Sequence, residues 1–132
     1  RRVLFRSLYI GDVAMVHDSN GLWGLAARGI DLTIVVSNND GGSIFSFLPQ
    51  ASQVDADTFE TLYGTPHGVD FAHLAAAHGV PHVRVATRAE LDRALAGTGT
   101  RMVEVVFDRS LNVAAHDALN AAVVAVVDAV TA

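Results

Sequence analysis

With 132 residues, 51% apolar and 17% charged, the chain has the size and hydrophobic content of one ordinary domain. A net charge of −5, with arginine as the sole basic residue besides histidine, offers no basic footprint for nucleic acid, and the lack of cysteine excludes disulfides, thiolate catalysis and thiolate metal sites. The longest uninterrupted apolar run, Ala121 to Val127, is far shorter than the roughly 20 residues of a membrane-spanning helix. The expectation is a soluble chain without a membrane span, compatible with a cytoplasmic setting.

Taken in chain order, the first segment, RRVLFRS at Arg1 to Ser7, lacks the layout of a signal peptide. It matches the translation of a common sequencing adapter and is read as an assembly artefact, with the natural protein continuing upstream. The alternative is an Arg-flanked edge of the first strand. The domain proper is therefore placed at residues 8–132. Leu8-Tyr9-Ile10 ends a strand at Gly11-Asp12, and a helix is expected over Asn20 to Ala27, stopped by Gly29. Leu32 to Ser37 is a β-branched run of the kind buried on both faces of a parallel sheet. Ser43 to Leu48 is a short apolar piece, and a polar stretch to Thr65-Pro66 reads as an ordered loop with a helical turn near Phe59. An excursion of that length is either functional or disordered.

Asp70 is placed to cap a helix to His78, ended by Gly79; His82 to Ala86 is the next strand. Thr87 and Glu90 have capping-box spacing for a helix to Ala96, Arg101 to Phe107 is a strand, and Asn112 to Val130 a closing helix. Alternating strands and helices predict an α/β fold: a parallel sheet with helices on both faces.

Ligands of open parallel sheets bind where strands end at their carboxyl edge. Asp12 directly follows the first strand and Asn39 nearly directly follows the second, so one βαβ unit brings them side by side. A carboxylate, a carboxamide oxygen and a free carbonyl in the Gly41-Gly42 turn make three hard oxygen ligands, which suits Mg²⁺ with phosphate and water completing its shell. Backbone N–H groups at Val13 and Ala14, and at the turn after Gly42, are placed to receive phosphate oxygens. Taken singly, Gly-Asp and NNDGG are ordinary turn compositions. Their coincidence after successive strands is what carries information.

Gly11-Asp12, one βαβ unit and then Asn38-Asn39 closely resembles the thiamine-diphosphate signature. The sequence departs from it at Val13, where many members carry a third glycine. The longer strings NNDGGSIFSFLPQ at Asn38 to Gln50, VHD at Val16 to Asp18 and YGTPHGVDFAHLA at Tyr63 to Ala75 resemble the 2-succinyl-5-enolpyruvyl-6-hydroxy-3-cyclohexene-1-carboxylate synthases (MenD) of menaquinone biosynthesis, from Leu8 essentially to the end. GGSIFSFLPQ is the most specific element. The resemblance implies a thiamine-diphosphate-binding fold truncated at its N-terminus. It implies metal ligands in Asp12, Asn39 and the Gly41 carbonyl, holding Mg²⁺ or Mn²⁺. It implies cofactor contacts from Gly11, Val13, Ala14, Gly42 and Ser43, and an apolar wall of Ile44, Phe45 and Leu48, for which core packing is the alternative.

The implied reaction is decarboxylation of 2-oxoglutarate and addition of the resulting succinyl-semialdehyde carbanion equivalent to isochorismate. Implied as well is a homo-oligomer in which the activating glutamate comes from a separate upstream domain across a subunit interface. No catalytic residue is assigned within this chain, and by itself it is expected to be inactive. The rival readings are another thiamine-diphosphate enzyme, such as a 2-oxoacid decarboxylase or an acetolactate synthase, and a non-catalytic binding module on the same fold. The six histidines do not form a zinc pattern, His17-Asp18 reads as a cofactor or subunit contact or as a helix-initiating polar pair, and Ser43 lacks the setting of a hydrolase nucleophile. Arg84, Arg88, Arg93 and Arg101 are assigned to solvated faces.

Overall fold

The computed structural model describes residues 7–131; Arg1 to Arg6 of the adapter-like segment lie outside the described residues. Four strands form one sheet, β1 (Ser7–Gly11), β2 (Thr33–Asn38), β3 (His82–Val85) and β4 (Arg101–Val106), in the order β1-β2-β4-β3. All three pairings are parallel, so every strand delivers its carboxyl end to the same edge. The helices are α1 (Asp12–His17), α2 (Gln50–Gln53), α3 (Ala56–Phe59), α4 (Phe71–Ala77), α5 (Arg88–Leu95) and α6 (Arg109–Thr131).

The alternation of side chains along β2 sorts the core. Ile34 and Val36 face one way and, with Met102 of β4, pack under Met15 of α1, Phe71 and Ala75 of α4, and the connecting residues Leu22 and Val80. The opposite face carries buried Thr33, Val85 and Val103, and α5 packs along β3. The β-branched run is thus buried on the face under α1 and α4 and only partly covered on the other, where Val35 and Ser37 keep some exposure.

Two helices differ from the sequence reading. No helix occupies Asn20 to Ala27; α1 starts at Asp12, directly off β1, and is followed by a 3₁₀ turn at Ser19–Leu22 and irregular turns. Gly21 and Gly24 explain this, since glycine is a poor helix interior residue and Gly24 takes a left-handed φ of 72°. The last helix begins at Arg109, three residues before the expected start, because Asp108 accepts hydrogen bonds from the Ser110 N–H and hydroxyl at 2.7 and 2.6 Å. Nor does it close over the sheet: none of its residues is buried, and it packs on the Ser43–Phe47 turn, with Phe47 edge-on to His116 at 5.2 Å.

By length and composition α6 would suffice to cross a membrane, which the short run Ala121 to Val127 did not suggest. Asp117 and Asp128 interrupt it, and each would cost about 2.5–3.5 kcal/mol at a bilayer centre.

The capping predictions hold. Asp70 accepts from the His73 N–H at 2.9 Å, and Thr87 with Glu90 forms the reciprocal capping box of α5. The excursion after β2 is ordered as a string of short helical turns, including α2, α3 and a wide turn at Glu60–Gly64.

Candidate functional site

The carboxyl ends of β1 and β2 are joined through one side chain. Asp12 is 4% exposed, and its Oδ2 accepts the N–H groups of both Asn39 and Gly41 at 3.0 Å while Oδ1 accepts the Val13 N–H at 2.8 Å. The β1–β2 register, with Gly11 beside Ser37, puts the next residue of β1 level with the start of the NNDGG turn. The Val13 N–H that the sequence offered to a phosphate is therefore engaged by Asp12 itself.

The turn has the geometry its composition suggests. Asp40 takes a left-handed φ of 58° and Gly41 a φ of 138°. A Cβ on Gly41 would lie 2.0 Å from the Gly64 carbonyl oxygen, and one on Gly42 would lie 2.4 Å from that of Tyr63. Both glycines are needed for the turn to pack on the Tyr63–Gly64 backbone, where the Gly42 N–H donates to the Gly64 carbonyl at 2.7 Å. Asp40 is directed away from Asp12: its Oδ1 accepts the N–H groups of His67 and Gly68 at 3.1 and 2.8 Å. Only one carboxylate is thus left at the centre of the site, as repulsion between like charges favours.

Of the side chains around it, the Asn39 Oδ1 decides what the site can hold. That oxygen is buried and has no hydrogen-bond partner among the described residues. A buried carboxamide oxygen without a donor is costly unless something electropositive meets it. It stands at the end of a turn whose backbone is already bound to a buried carboxylate, the arrangement of a hard-cation site.

Asp12, Asn39, Gly11, Val13, Ala14, Gly41, Gly42, Ser43, Ile44 and Phe45 all border one cleft of about 820 Å³. Ile44 is 69% exposed and Phe45, in contact with Tyr63 at a ring separation of 5.6 Å, is half-buried. Leu48 is not among the lining residues; it lies beyond the 3₁₀ turn and is half-exposed. His17 and Asp18 also border the cleft, as an exposed pair 2.7 Å apart at the end of α1, with Asp18 at the start of the 3₁₀ turn Ser19–Leu22 without a capping side-chain hydrogen bond.

Residues 7–107, which carry every residue bordering the cleft except Asn112 and His116, match the family of thiamine pyrophosphate enzymes, C-terminal TPP binding domain. The chain belongs to this family. It is 49% identical over 116 residues to the 2-succinyl-5-enolpyruvyl-6-hydroxy-3-cyclohexene-1-carboxylate synthase of Saccharopolyspora erythraea, covering 86% of this chain and 21% of the relative. It is 48% identical over 119 residues to the synthase of Thermobifida fusca, covering 89% and 21%. The chain thus spans about a fifth of the length of these curated relatives, and the resemblance read from GGSIFSFLPQ is borne out. Among solved structures, the thiamine diphosphate-dependent 4-hydroxybenzoylformate decarboxylase of Rhodococcus jostii aligns with a TM-score of 0.61 at 27% identity, over 77% of this chain and 19% of that one. The benzoylformate decarboxylase of Polynucleobacter necessarius aligns at 0.62 and 18% identity, over 78% and 19%, a likeness of fold.

A thiamine pyrophosphate domain needs oxygen ligands for the cation that carries the diphosphate, and the residues present fit. Asp12 would supply the negative charge, and Asn39 Oδ1 is a buried oxygen that meets no donor among the described residues.

Two participants escaped sequence reasoning. His67 Nδ1 accepts the Val69 N–H at 3.0 Å, which places the proton of a neutral ring on Nε2. That nitrogen lies 3.3 Å from Asp12 Oδ2 without hydrogen-bond alignment, and is buried. The only sequence signal was its place inside YGTPHG. Glu104 is fully buried on β4 and accepts from Asn38 Nδ2 at 2.6 Å, His82 Nε2 at 2.9 Å and Arg84 Nε at 3.0 Å. Burial alone would raise its pKa, but the hydrogen bonds from Asn38, Arg84 and His82 outweigh this and hold it below the usual glutamate value. Arg84, its side chain 60% exposed, lies on a solvated face as the sequence suggested but is also tied to a buried carboxylate, and the partly buried Arg101 donates to the Ala94 and Gly99 carbonyls. A single Glu in a β-branched strand signals nothing until the strand register is known.

Proposed function

We propose that Asp12, Asn39 and the Gly41 carbonyl hold Mg²⁺ or Mn²⁺ and through it the diphosphate of thiamine diphosphate, and that the complete protein is a synthase acting on 2-oxoglutarate and isochorismate. The observation that carries the cation site is the buried, donorless Asn39 Oδ1 beside the turn whose N–H groups Asp12 holds. The substrates rest on the similarity to synthases that extends through GGSIFSFLPQ.

Bound thiamine diphosphate supplies the electron sink that decarboxylation of a 2-oxo acid requires. The chain's own contribution is electrostatic and positional. Asp12 balances the cation's charge and fixes the turn in the same act, so binding requires little rearrangement of the backbone. The Ala14 N–H in the first turn of α1 would be available to the diphosphate, whereas the Ser43 N–H expected to share that role donates to the Gly41 carbonyl at 3.1 Å, and Gly11 sits in ordinary extended backbone where β1 runs into α1. Ser43, Ile44 and Phe45 line the apolar side of the cleft and would shield its reacting end from water, a role Leu48, outside the lining, does not share. The proton chemistry of the aminopyrimidine is assigned to an upstream domain of a homo-oligomer, so residues 7–131 alone bind without turning over. A cytoplasmic setting goes with such a biosynthetic role.

The test is an assay of the full-length protein with 2-oxoglutarate and isochorismate, against pyruvate and benzoylformate as alternative 2-oxo acids. The proposal expects cofactor-dependent product only with the first pair. Faster decarboxylation of benzoylformate would favour the decarboxylase reading, to which the solved neighbours belong.

A further inference from the structure

Asn38 lies one residue before the proposed cation ligand, and its side chain is gripped from two sides. Its Nδ2 donates to Glu104 Oε1 at 2.6 Å, and its Oδ1 accepts the Asp40 N–H at 3.0 Å. A carboxylate accepts only, so Glu104 dictates which end of the Asn38 amide faces it and therefore that oxygen faces Asp40. Asp40 in turn carries the left-handed φ of 58° that bends the chain toward Gly41, and it anchors the His67–Gly68 backbone through Oδ1. One line of hydrogen bonds thus runs from a fully buried carboxylate to the turn that presents Asn39 and Gly41.

The strand register makes this line possible. Glu104 pairs with Val36 of β2 and with Arg84 of β3, while Asn38 lies two residues further along β2 on the same face. His82, Arg84, Glu104 and Asn38 therefore share one side of the sheet, the side that also carries Ile34, Val36 and Met102 of the core. A carboxylate placed among those residues is costly unless several donors meet it, and three side chains do. Arg84 and His82 supply two of the three, and so hold Glu104 in the rotamer that reaches Asn38.

We infer that Glu104 is a positioning residue for the cation-binding turn, acting through the amide of Asn38 without touching metal or cofactor. The inference rests on the cation reading of the turn for its functional consequence, but its structural claim concerns the Asp40 N–H and stands apart from any ligand.

The test compares the full-length wild-type protein with Glu104→Gln, Asn38→Asp and the double variant Asn38→Asp/Glu104→Gln. The double variant restores one donor facing one carboxylate with the roles exchanged, and leaves a carboxylate oxygen at position 38 for the Asp40 N–H. Two quantities are read: hydrogen exchange of the Asp40 amide in metal-free protein, against core amides of β2 and β4, and Mn²⁺ affinity in the presence of thiamine diphosphate by the free-ion EPR signal. Each single change is expected to speed Asp40 exchange selectively and to weaken Mn²⁺ binding about tenfold, the scale of one lost charge-assisted hydrogen bond. The double variant is expected to recover most of the Asp40 protection.

Unchanged Asp40 exchange in folded Glu104→Gln overturns the inference. So does a double variant no better protected than the singles. Should Glu104→Gln not fold, Asn38→Ala decides by the same exchange measurement, since it leaves Glu104 with Arg84 and His82: selective loss at Asp40 supports the line of bonds and no change refutes it. A wild type that binds no Mn²⁺ with the cofactor defeats the cation reading instead, while the exchange data still decide the role of Glu104.

Discussion

Asp12 does two jobs with one carboxylate, and the hydrogen bonds separate them. Its Oδ2 already holds two turn N–H groups and its Oδ1 the Val13 N–H, so Asp12→Asn not only removes the negative charge but also sets an amide N–H₂ against either the turn N–H groups or that of Val13. The expected result is loss of metal-dependent cofactor retention together with a fall in stability of about 1–3 kcal/mol, read by denaturant unfolding of the metal-free protein. Retained metal-dependent binding would remove Asp12 from the site. Phe45 is half-buried against Tyr63, so Phe45→Ala should cost clearly less than the roughly 3–5 kcal/mol of a truncated core phenylalanine while lowering turnover. A core-sized loss of stability would return Phe45 to plain packing.

Glu104 has a pH consequence. Its carboxyl is held below its ordinary value of 4.5, burial opposing and three hydrogen bonds prevailing, so its contribution is fully present above that value. Below it the unfolded chain takes up the proton first, and the contribution is lost as pH falls through the folded-state value. Unfolding free energy measured on acidification should therefore decline more steeply for wild type than for Glu104→Gln. Parallel declines would show that the carboxylate is not stabilised in the folded state.

At the level of elements, what could be read from the sequence was what local chemistry decides. The β-branched run at Leu32 to Ser37, the Asp70 cap and the Thr87–Glu90 box each signal themselves within a few residues, and each element stands where expected. The NNDGG turn was legible for the same reason, since its composition reports its own backbone geometry, whereas Gly11-Asp12 passes from strand to helix through ordinary extended backbone. The first helix was misplaced because the onset at Asp12 has no capping side chain, Gly11 standing at the cap, whereas the later stretch carries helix-forming Leu25 to Arg28 broken by glycines.

Glu104, His67 and Arg84 were not legible because their roles depend on strand order and register, which bring together residues from β2, β3, β4 and the loop before α4. The packing of the turn on the Tyr63–Gly64 backbone is of this long-range kind too. Gly41→Ala should strain both the φ of 138° and the contact with the Gly64 carbonyl, lowering stability by about 1–3 kcal/mol in thermal unfolding; a neutral effect would mean that the turn is free to move.

On the scale of the molecule, the parallel sheet gathers everything with chemistry at one edge and leaves α6 without cover. Leu119, Val123, Val126 and Val130 of that helix are exposed, while its first turns, at Asn112 and His116, border the cleft. The segment 39–45 lines the cleft, and the relatives are about five times longer than the aligned stretch. Under the proposed function the fold would supply binding and orientation, with the rest of the reaction left to the remainder of the longer protein.

The central claim, that Asp12 and the Asn39–Gly41 turn form the cation site of a thiamine diphosphate domain, is most directly tested by a crystal structure of the full-length protein grown with thiamine diphosphate and Mn²⁺. Anomalous scattering then locates the ion without reference to any assumed ligand. The account predicts a single peak at about 2.1 Å from an Asp12 carboxylate oxygen, Asn39 Oδ1 and the Gly41 carbonyl, with diphosphate oxygens completing the shell. An ion bound elsewhere, or diphosphate seated without Asp12 and Asn39, would contradict it.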